Sequence, residues 1–286
     1  MLIIDNQKIL NEFCRQLLDC KTISVDTEFL RKNTYFAQLS IIQIMTSSHK
    51  VIIDTLCDLD LLPLNEIFLN EKILKIVHAP REDFEIFYHL FKKLPRNVFD
   101  IQIAAGICDF GKHLSYSDIC SKICFVHIDK TYQRSDWLKR PLSTNLLDYA
   151  IKDVEYLEPI YKILQSIIQD NNLQNEYDEQ IKSLLNIKNY IVDTQKAWQK
   201  VRFYNHSEFF INKMKIMAAY REEQASTIDL PRRHFISDEE LVKICQHLPT
   251  SNKDFENLKL NGRYLSKQKY RTQLADLCLA IQELGE

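Results

Sequence analysis

Hydrophobic and polar positions follow two different periods in the first hundred residues. Short apolar runs are typical of buried strands, and apolar residues at helical spacing over residues 7–19 predict a first helix. Helical patterns also follow residues 63, 83 and 101. Because strands and helices are interspersed, the pattern predicts an α/β domain with a mixed central sheet flanked by helices. Strands are predicted at residues 23–29, 39–45, 51–54, 75–78 and 98–100.

The pattern changes after residue 170, where no further strand alternation occurs. Charged helical patterns cover residues 173–202 and 208–224, and Ser237, Ser251 and Ser266 are predicted helix starts. Ser237 with Glu240 forms a capping-box sequence. Helical periodicity lapses at residues 204–206, so we predict a first domain of residues 1–170, a helical connector of 171–207 and an all-α domain of 208–286.

Two carboxylates stand two residues apart at the end of the first predicted strand. Side chains at positions i and i+2 of a strand point to the same face, so Asp26 and Glu28 are expected to converge. Such like charges repel unless a cation lies between them, and hard divalent ions prefer carboxylate oxygens. The alternative is a solvated acidic turn.

Further candidates lie at the start of one helix and inside another. Asp83 follows the strand ending near His78, and Tyr149 and Asp153 share a helix face at spacing i, i+4. Taken singly, Asp83 is an N-cap, His78 a core histidine and Tyr149 a half-buried phenol. Taken together, four carboxylates beside one sheet form a ligand set for two divalent ions.

Composition narrows the function classes. The 286 residues include only four glycines, which argues against Gly-rich phosphate-binding loops, and the net charge of −2 leaves nucleic-acid binding open. The eight cysteines form no Cys-x-x-Cys pair, as in proteins of a reducing compartment. We find neither a signal-peptide pattern nor eighteen consecutive apolar residues, so a cytoplasmic protein without a membrane partner is expected.

Three segments resemble, in chain order, the exonuclease motifs of the ribonuclease D family. They are VDTEFLR (25–31) with YFAQL (35–39), HAxxED (78–83) and YxxxD (149–153), and further matches occur at 114–116, 129–130, 134–137 and 140–143. The resemblance implies a ribonuclease H-like fold and a 3′→5′ exonuclease. It also implies Mg²⁺ or Mn²⁺ as cofactor and the 3′ ends of tRNA precursors as substrate.

The residues allow a mechanism in which two metal ions clamp the attacking and leaving oxygens at phosphorus. We expect Asp26 to bridge the ions, Glu28 and Asp153 to complete one site, and Asp83 to serve the other partly through waters. The Tyr149 hydroxyl is a poor base at its ordinary pKa near 10. It is expected to orient the attacking water, taking its proton only where the metal field lowers the pKa.

A basic and aromatic segment follows residue 129. Lys130, Arg134 and Arg140, with Trp137 between them, suit a single RNA strand, because cations contact phosphates and rings stack on bases. The alternative is a core tryptophan in a solvated charged loop. Phe29, beside the metal pair, is a candidate wedge against the terminal base, and ordinary packing is its alternative.

The C-terminal helices resemble the HRDC domain, which implies an auxiliary nucleic-acid-binding role. A charged solvent face is the alternative. The family's usual glycine is missing near Cys124 and Phe125. The candidate basic surface consists of Lys253, Lys259, Arg263, Lys267, Lys269 and Arg271.

The prediction is therefore a metal-dependent 3′→5′ exoribonuclease that trims structured RNA, with 3′-extended tRNA precursors as the expected partner. Two alternatives share these motifs. One is a DNA-directed proofreading-type exonuclease, and the other is a catalytically silent RNA-binding module.

Overall fold

The computed structural model describes residues 1–204, 207–260 and 262–283. The chain divides into two compact units, one of residues 1–30 with 37–190 and one of residues 31–36 with 191–286. The boundary at 190/191 falls inside the predicted connector, and part of the predicted boundary, Asn205 and His206, lies outside the described residues. The domain assignment as such stays a prediction.

The first unit alternates strands and helices. Its elements are β1 (Leu2–Ile4), α1 (Gln7–Leu17), β2 (Thr22–Leu30), β3 (Gln38–Met45), β4 (Lys50–Asp54), α2 (Leu62–Leu69), β5 (Leu74–Val77), α3 (Arg81–Phe91), β6 (Val98–Asp100), α4 (Ile101–Ile107), α5 (Tyr116–Ile119), a π-helical turn (Cys120–Cys124), α6 (Thr144–Glu155), α7 (Leu157–Asp170), α8 (Gln174–Leu184) and a 3₁₀ turn (Ile187–Asn189).

The six strands form one mixed sheet in the order β1-β4-β3-β2-β5-β6. Strand β3 is antiparallel to both β2 and β4, whereas β5 pairs in parallel with β2 and β6. The three antiparallel strands are joined by short loops, and the parallel strands require the crossover helices α3 and α2. The predicted mixed sheet is thus confirmed.

Side-chain alternation gives the sheet two different faces. Val25, Ile42 and Ile53 pack into one apolar cluster with α1, α2 and α3, whereas Ile41 and Ile52 pack on the opposite face with residues of α6. Since neighbours along a strand point to opposite faces, Asp26 and Glu28 lie on the α6 face. The core therefore fixes which way the acidic pair points.

Two local expectations from the sequence were wrong. Strand β1 was missed, because three residues carry too little periodicity to identify it. The helix expected over residues 173–202 ends at Leu184. There the Asn186 side chain accepts from the backbone N–H of Lys188 at 3.1 Å and Asp193 accepts from that of Lys196 at 3.2 Å, so local side-chain acceptors replace the helical bonds.

The second unit is helical, as predicted. Ser237 and Ser251 each start a helix within a capping box, and the last helix begins at Gln268, two residues after the expected Ser266. Its elements are a 3₁₀ turn (Ala197–Lys200), α9 (Glu208–Thr227), α10 (Arg232–Phe235), α11 (Asp238–His247), α12 (Asn252–Asn257) and α13 (Gln268–Glu283). Among the described residues no helix is both long and apolar enough to cross a membrane.

The second unit also contains a buried charged group. Arg221 donates to the Asp238 carboxylate at 2.7 Å, and Glu222 pairs with Arg232 at 3.2 Å. Within the same unit the Tyr35 hydroxyl donates to Glu222 at 2.6 Å. Each buried charge therefore has an opposite charge beside it, as burial requires.

Phe125 adopts a backbone conformation that favours glycine. This residue directly follows the π-helical turn, lies in the left-handed region at φ 58°, and is 89% exposed. A side chain other than glycine there costs about 1 kcal/mol, and the exposed ring returns little burial energy. We expect Phe125→Gly to raise the free energy of unfolding by about 0.5–1 kcal/mol in urea titrations.

Phe125→Ala is the matched control, because alanine removes the ring and keeps the cost of the left-handed backbone. Equal stability of the glycine and alanine variants would contradict the explanation.

Candidate active site

The four predicted acids and Tyr149 line one open cavity of about 410 Å³ in the first unit. The cavity lies where β2 extends past its neighbour: Ser24 pairs with Ile76, and β5 ends one residue later at Val77. Ligand sites in α/β sheets commonly form at such carboxyl ends of parallel strands. The structure thus brings together residues that are separated by more than a hundred positions in the sequence.

Strand β2 places Asp26 and Glu28 on the wall of the cavity. Asp26 pairs with Gln43 of β3, and the register shifts between Glu28 and Phe29, which marks a bulge directly after the acidic pair. A bulge bends a strand and redirects the side chains beside it. Phe29 lines the cavity next to the two carboxylates.

Helix α6 places Tyr149 and Asp153 opposite that strand. The helix begins at Thr144, after the Ser143 side chain accepts from the backbone N–H of Leu146 at 3.4 Å. Tyr149 and Asp153 lie one turn apart and both line the cavity, and after burial the Asp153 carboxylate contributes to the raised pKa of Tyr149. The Trp137 ring packs against the Tyr149 ring with centroids 6.1 Å apart, and this packing restricts the position of the phenol.

Asp83 comes from the first turn of α3 and accepts a hydrogen bond from the Thr27 hydroxyl. Thr27 is buried on the face of β2 opposite Asp26. Asp83 is therefore fixed in the fold by a long-range bond from β2, 56 residues earlier. A position in the first turn of α3 would by itself explain a capping role for Asp83, but not its hydrogen bond from Thr27.

Burial and mutual repulsion make it unfavourable for all four acids of the cavity to be ionised at once. Burial and the neighbouring acids Asp83, Asp153 and Glu28 raise the pKa of Asp26 well above its ordinary value. Burial, followed by Asp153 and Asp83, raises the pKa of Glu28 to about 9. Burial also raises the pKa of Asp153 to about 7 and that of Asp83 to about 6. The protein around the cavity thus favours neutral acids unless positive charge is supplied.

This donor set fits hard divalent cations, because the oxygens belong to carboxylates whose mutual repulsion a cation relieves. Asp26, Glu28, Asp83 and Asp153 would hold such ions. Within the described part of the chain no three His, Cys, Asp or Glu side chains lie close enough together to hold a metal ion as they stand. The four acids share the lining of one cavity, and the assignment of the ligand set rests on that shared lining and on the chemistry of carboxylate oxygens.

The predicted RNA-contacting residues occupy different environments. Phe29 and Lys130 line the cavity, and Arg134 is exposed outside its lining. Trp137 is 1% exposed, so neither of its ring faces is open to a base. Arg140 binds both oxygens of Asp54, at 2.6 and 2.7 Å. We therefore correct the set and assign Trp137 and Arg140 to packing.

The candidate basic surface of the second unit is mostly available. Arg271 is the exception, because its Nε donates to the Leu265 carbonyl at 2.6 Å and the side chain is half-buried. The remaining five, Lys253, Lys259, Arg263, Lys267 and Lys269, are exposed.

Several cavity residues were missed or left open by the sequence analysis. His78 lies 3.0 Å, through Nε2, from the Leu114 carbonyl, and burial lowers the pKa of its ring. It lines the cavity as well, together with Ser115 and Gln133. Thr27 could have been suspected, since it lies between the two acids on the opposite face. His78 and Ser115 lie in segments that resemble the family motifs, whereas nothing local singles out Gln133.

Comparison with known proteins agrees with this geometry. The sequence signature of the 3′-5′ exonuclease family matches residues 1–169. Proteins named ribonuclease D are 37% identical over 238 residues in Bartonella henselae and 33% identical over 259 residues in Sphingobium indicum, covering 83% and 90% of this chain. The chain belongs to the ribonuclease D family.

The family fold is also found among solved structures. The structure of Escherichia coli RNase D, an exoribonuclease involved in structured RNA processing, superposes with a TM-score of 0.85 at 27% identity, covering 98% of this chain and 74% of that one. The predicted fold class is thereby confirmed. The chain spans 59% and 67% of the length of the Bartonella and Sphingobium relatives.

Proposed function

We propose that this protein is a metal-dependent 3′→5′ exoribonuclease that hydrolyses the terminal phosphodiester of RNA. The observation that carries the proposal is the single cavity lined by Asp26, Glu28, Asp83, Asp153 and Tyr149. The family membership supports it, because these five residues lie in the segments that resemble the exonuclease motifs of the family. The bound cofactor we propose is a pair of Mg²⁺ or Mn²⁺ ions.

Bound divalent ions would supply the positive charge that offsets both the carboxylates and the phosphate in the transition state. Asp26 and Glu28, on one wall of the cavity, and Asp153, on the other, would hold these ions beside the scissile phosphate. Burial, followed by the charge of Asp153, raises the pKa of Tyr149, so its hydroxyl is protonated at neutral pH. In this protonated state Tyr149 would orient the attacking water by hydrogen bonding, and it would take the water's proton only where bound metal ions lowered its pKa.

Lys130 and Phe29 are the proposed contacts for the RNA end, and Arg134 is a proposed contact for the strand outside the cavity. Lys130 donates to Ser115 at 3.1 Å, which places its ammonium group at the cavity edge. The five exposed cations of the second unit are a proposed auxiliary RNA surface, consistent with an HRDC-like role. We also propose 3′-extended tRNA precursors as the substrate and the cytoplasm as the location of the protein.

The test is digestion of RNA and DNA oligomers of identical sequence, labelled at the 5′ end, with Mg²⁺ or with EDTA. We expect an RNA ladder that shortens one nucleotide at a time, loss of cleavage in EDTA, and stepwise trimming of a 3′-extended tRNA. A 3′-phosphorylated or 3′-blocked RNA is the control for direction.

Faster loss of the DNA oligomer would favour the proofreading-type alternative. Binding of RNA without any cleavage in either metal would favour the silent RNA-binding module.

A further inference from the structure

A fifth buried acid, Asp100, lies next to the cavity and is not part of the proposed ligand set. It is the last residue of β6 and is 2% exposed. Asp100 pairs in register with Val77, so the carboxyl ends of β5 and β6 lie side by side. Its backbone N–H donates to the Tyr177 hydroxyl at 2.8 Å, which fixes the residue from the side of α8.

The Asp100 carboxylate has two separate tasks. One oxygen, Oδ1, accepts from the backbone N–H of Gln102 at 2.8 Å and caps α4. The same oxygen accepts from the backbone N–H of Ala79 at 2.9 Å, 21 residues earlier. A helix cap needs only the first bond. The second bond joins the end of β6 to the turn between β5 and α3.

That turn has an unfavourable backbone conformation. Ala79 is left-handed, at φ 48°, which a residue with a Cβ adopts only when its surroundings hold it there. Pro80 follows directly, and α3 begins at Arg81 without a side-chain cap. Asp83 is the third residue of that helix. The conformation of Ala79 therefore sets where α3 starts and where the Asp83 side chain lies.

We propose that Asp100 is a positioning residue for Asp83: its carboxylate holds the Ala79 turn in the left-handed conformation and so fixes Asp83 at the cavity. This inference rests on the proposed function, in which Asp83 is a metal ligand. Removing a residue that orients a metal ligand typically lowers metal affinity about 10- to 100-fold.

The test separates the two tasks of Asp100. Asp100→Ser keeps a short acceptor for the α4 cap but shortens the reach to Ala79, whereas Asp100→Asn keeps an oxygen at the position of Oδ1. Mn²⁺ binding is measured by electron paramagnetic resonance, without RNA and without turnover. We expect Asp100→Ser to weaken Mn²⁺ binding about 10-fold or more and Asp100→Asn to stay within about threefold of the unmodified protein.

Two further variants make the test specific. Glycine adopts the left-handed conformation freely, so Ala79→Gly combined with Asp100→Ser should recover part of the lost Mn²⁺ affinity. Asn6→Ala is the matched control, because it removes the cap of α1, where Asn6 accepts from the Ile9 N–H at 3.1 Å. This control should lower stability and leave Mn²⁺ affinity unchanged.

Unchanged Mn²⁺ affinity in Asp100→Ser would overturn the inference and leave the proposed function standing. A loss that Ala79→Gly does not recover would also overturn it, because Asp100 would then act only through α4. Absence of Mn²⁺ binding in the unmodified protein and in Asn6→Ala would overturn both the inference and the proposed metal site.

Discussion

Replacing Asp26 by asparagine should lower exonuclease activity at least about 1,000-fold and, at the same time, stabilise the metal-free protein. Activity falls because the amide removes the carboxylate that faces Asp83, Asp153 and Glu28. Stability rises because the same carboxylate is buried among like charges, and its raised pKa opposes folding at neutral pH. At pH 8 we expect the free energy of unfolding to rise by about 1 kcal/mol or more.

The two measurements are RNA hydrolysis in Mg²⁺ and urea unfolding in EDTA. Asp148→Asn is the matched control, because Asp148 lies exposed on the same helix as Tyr149 and Asp153. It should change neither quantity. Near-normal RNA hydrolysis by Asp26→Asn would contradict the assignment of Asp26 as a metal ligand. A lower free energy of unfolding of Asp26→Asn in EDTA would contradict the electrostatic explanation.

The metal-free protein should lose stability as the pH rises from about 5 to about 8. In the folded state the pKa of Glu28 is raised to about 9, that of Asp153 to about 7 and that of Asp83 to about 6. The folded state therefore binds more protons than the unfolded chain, and stability falls by about 1.4 kcal/mol per pH unit for each extra proton. Burial lowers the pKa of Lys75 to about 8, which opposes this trend only above pH 8.

Divalent ions should reverse that dependence. Because the pKa of Glu28 is about 9 and that of Asp153 about 7 in the metal-free protein, Glu28 is protonated and Asp153 half-protonated at pH 7, and binding of Mg²⁺ or Mn²⁺ should release roughly one to two protons. Calorimetric titration in two buffers with different ionisation enthalpies measures this number. Glu28→Gln should release about one proton fewer. A free energy of unfolding that does not change between pH 5 and 8, or metal binding without proton release, would show that the acids are already ionised in the metal-free protein.

Local pattern was sufficient for much of the fold and for the outline of the site. The strand period placed Asp26 and Glu28 on one face, and the helix period placed Tyr149 one turn from Asp153. Both are properties of a single element, which is why sequence reveals them. The capping box at Ser237 is equally local, and it was confirmed.

Contacts between distant segments decided the rest. In the sequence Trp137 and Arg140 look like nucleic-acid contacts. In the structure the Trp137 ring is buried beside Tyr149, and Arg140 pairs with Asp54, 86 residues away. The bond from Asp100 to the Ala79 turn depends on β5 and β6 ending side by side. By itself the sequence determined the types of its elements and which acids share a face. Only tertiary structure decided which cations stay exposed and what holds each acid, because both depend on packing between residues that no short-range period connects.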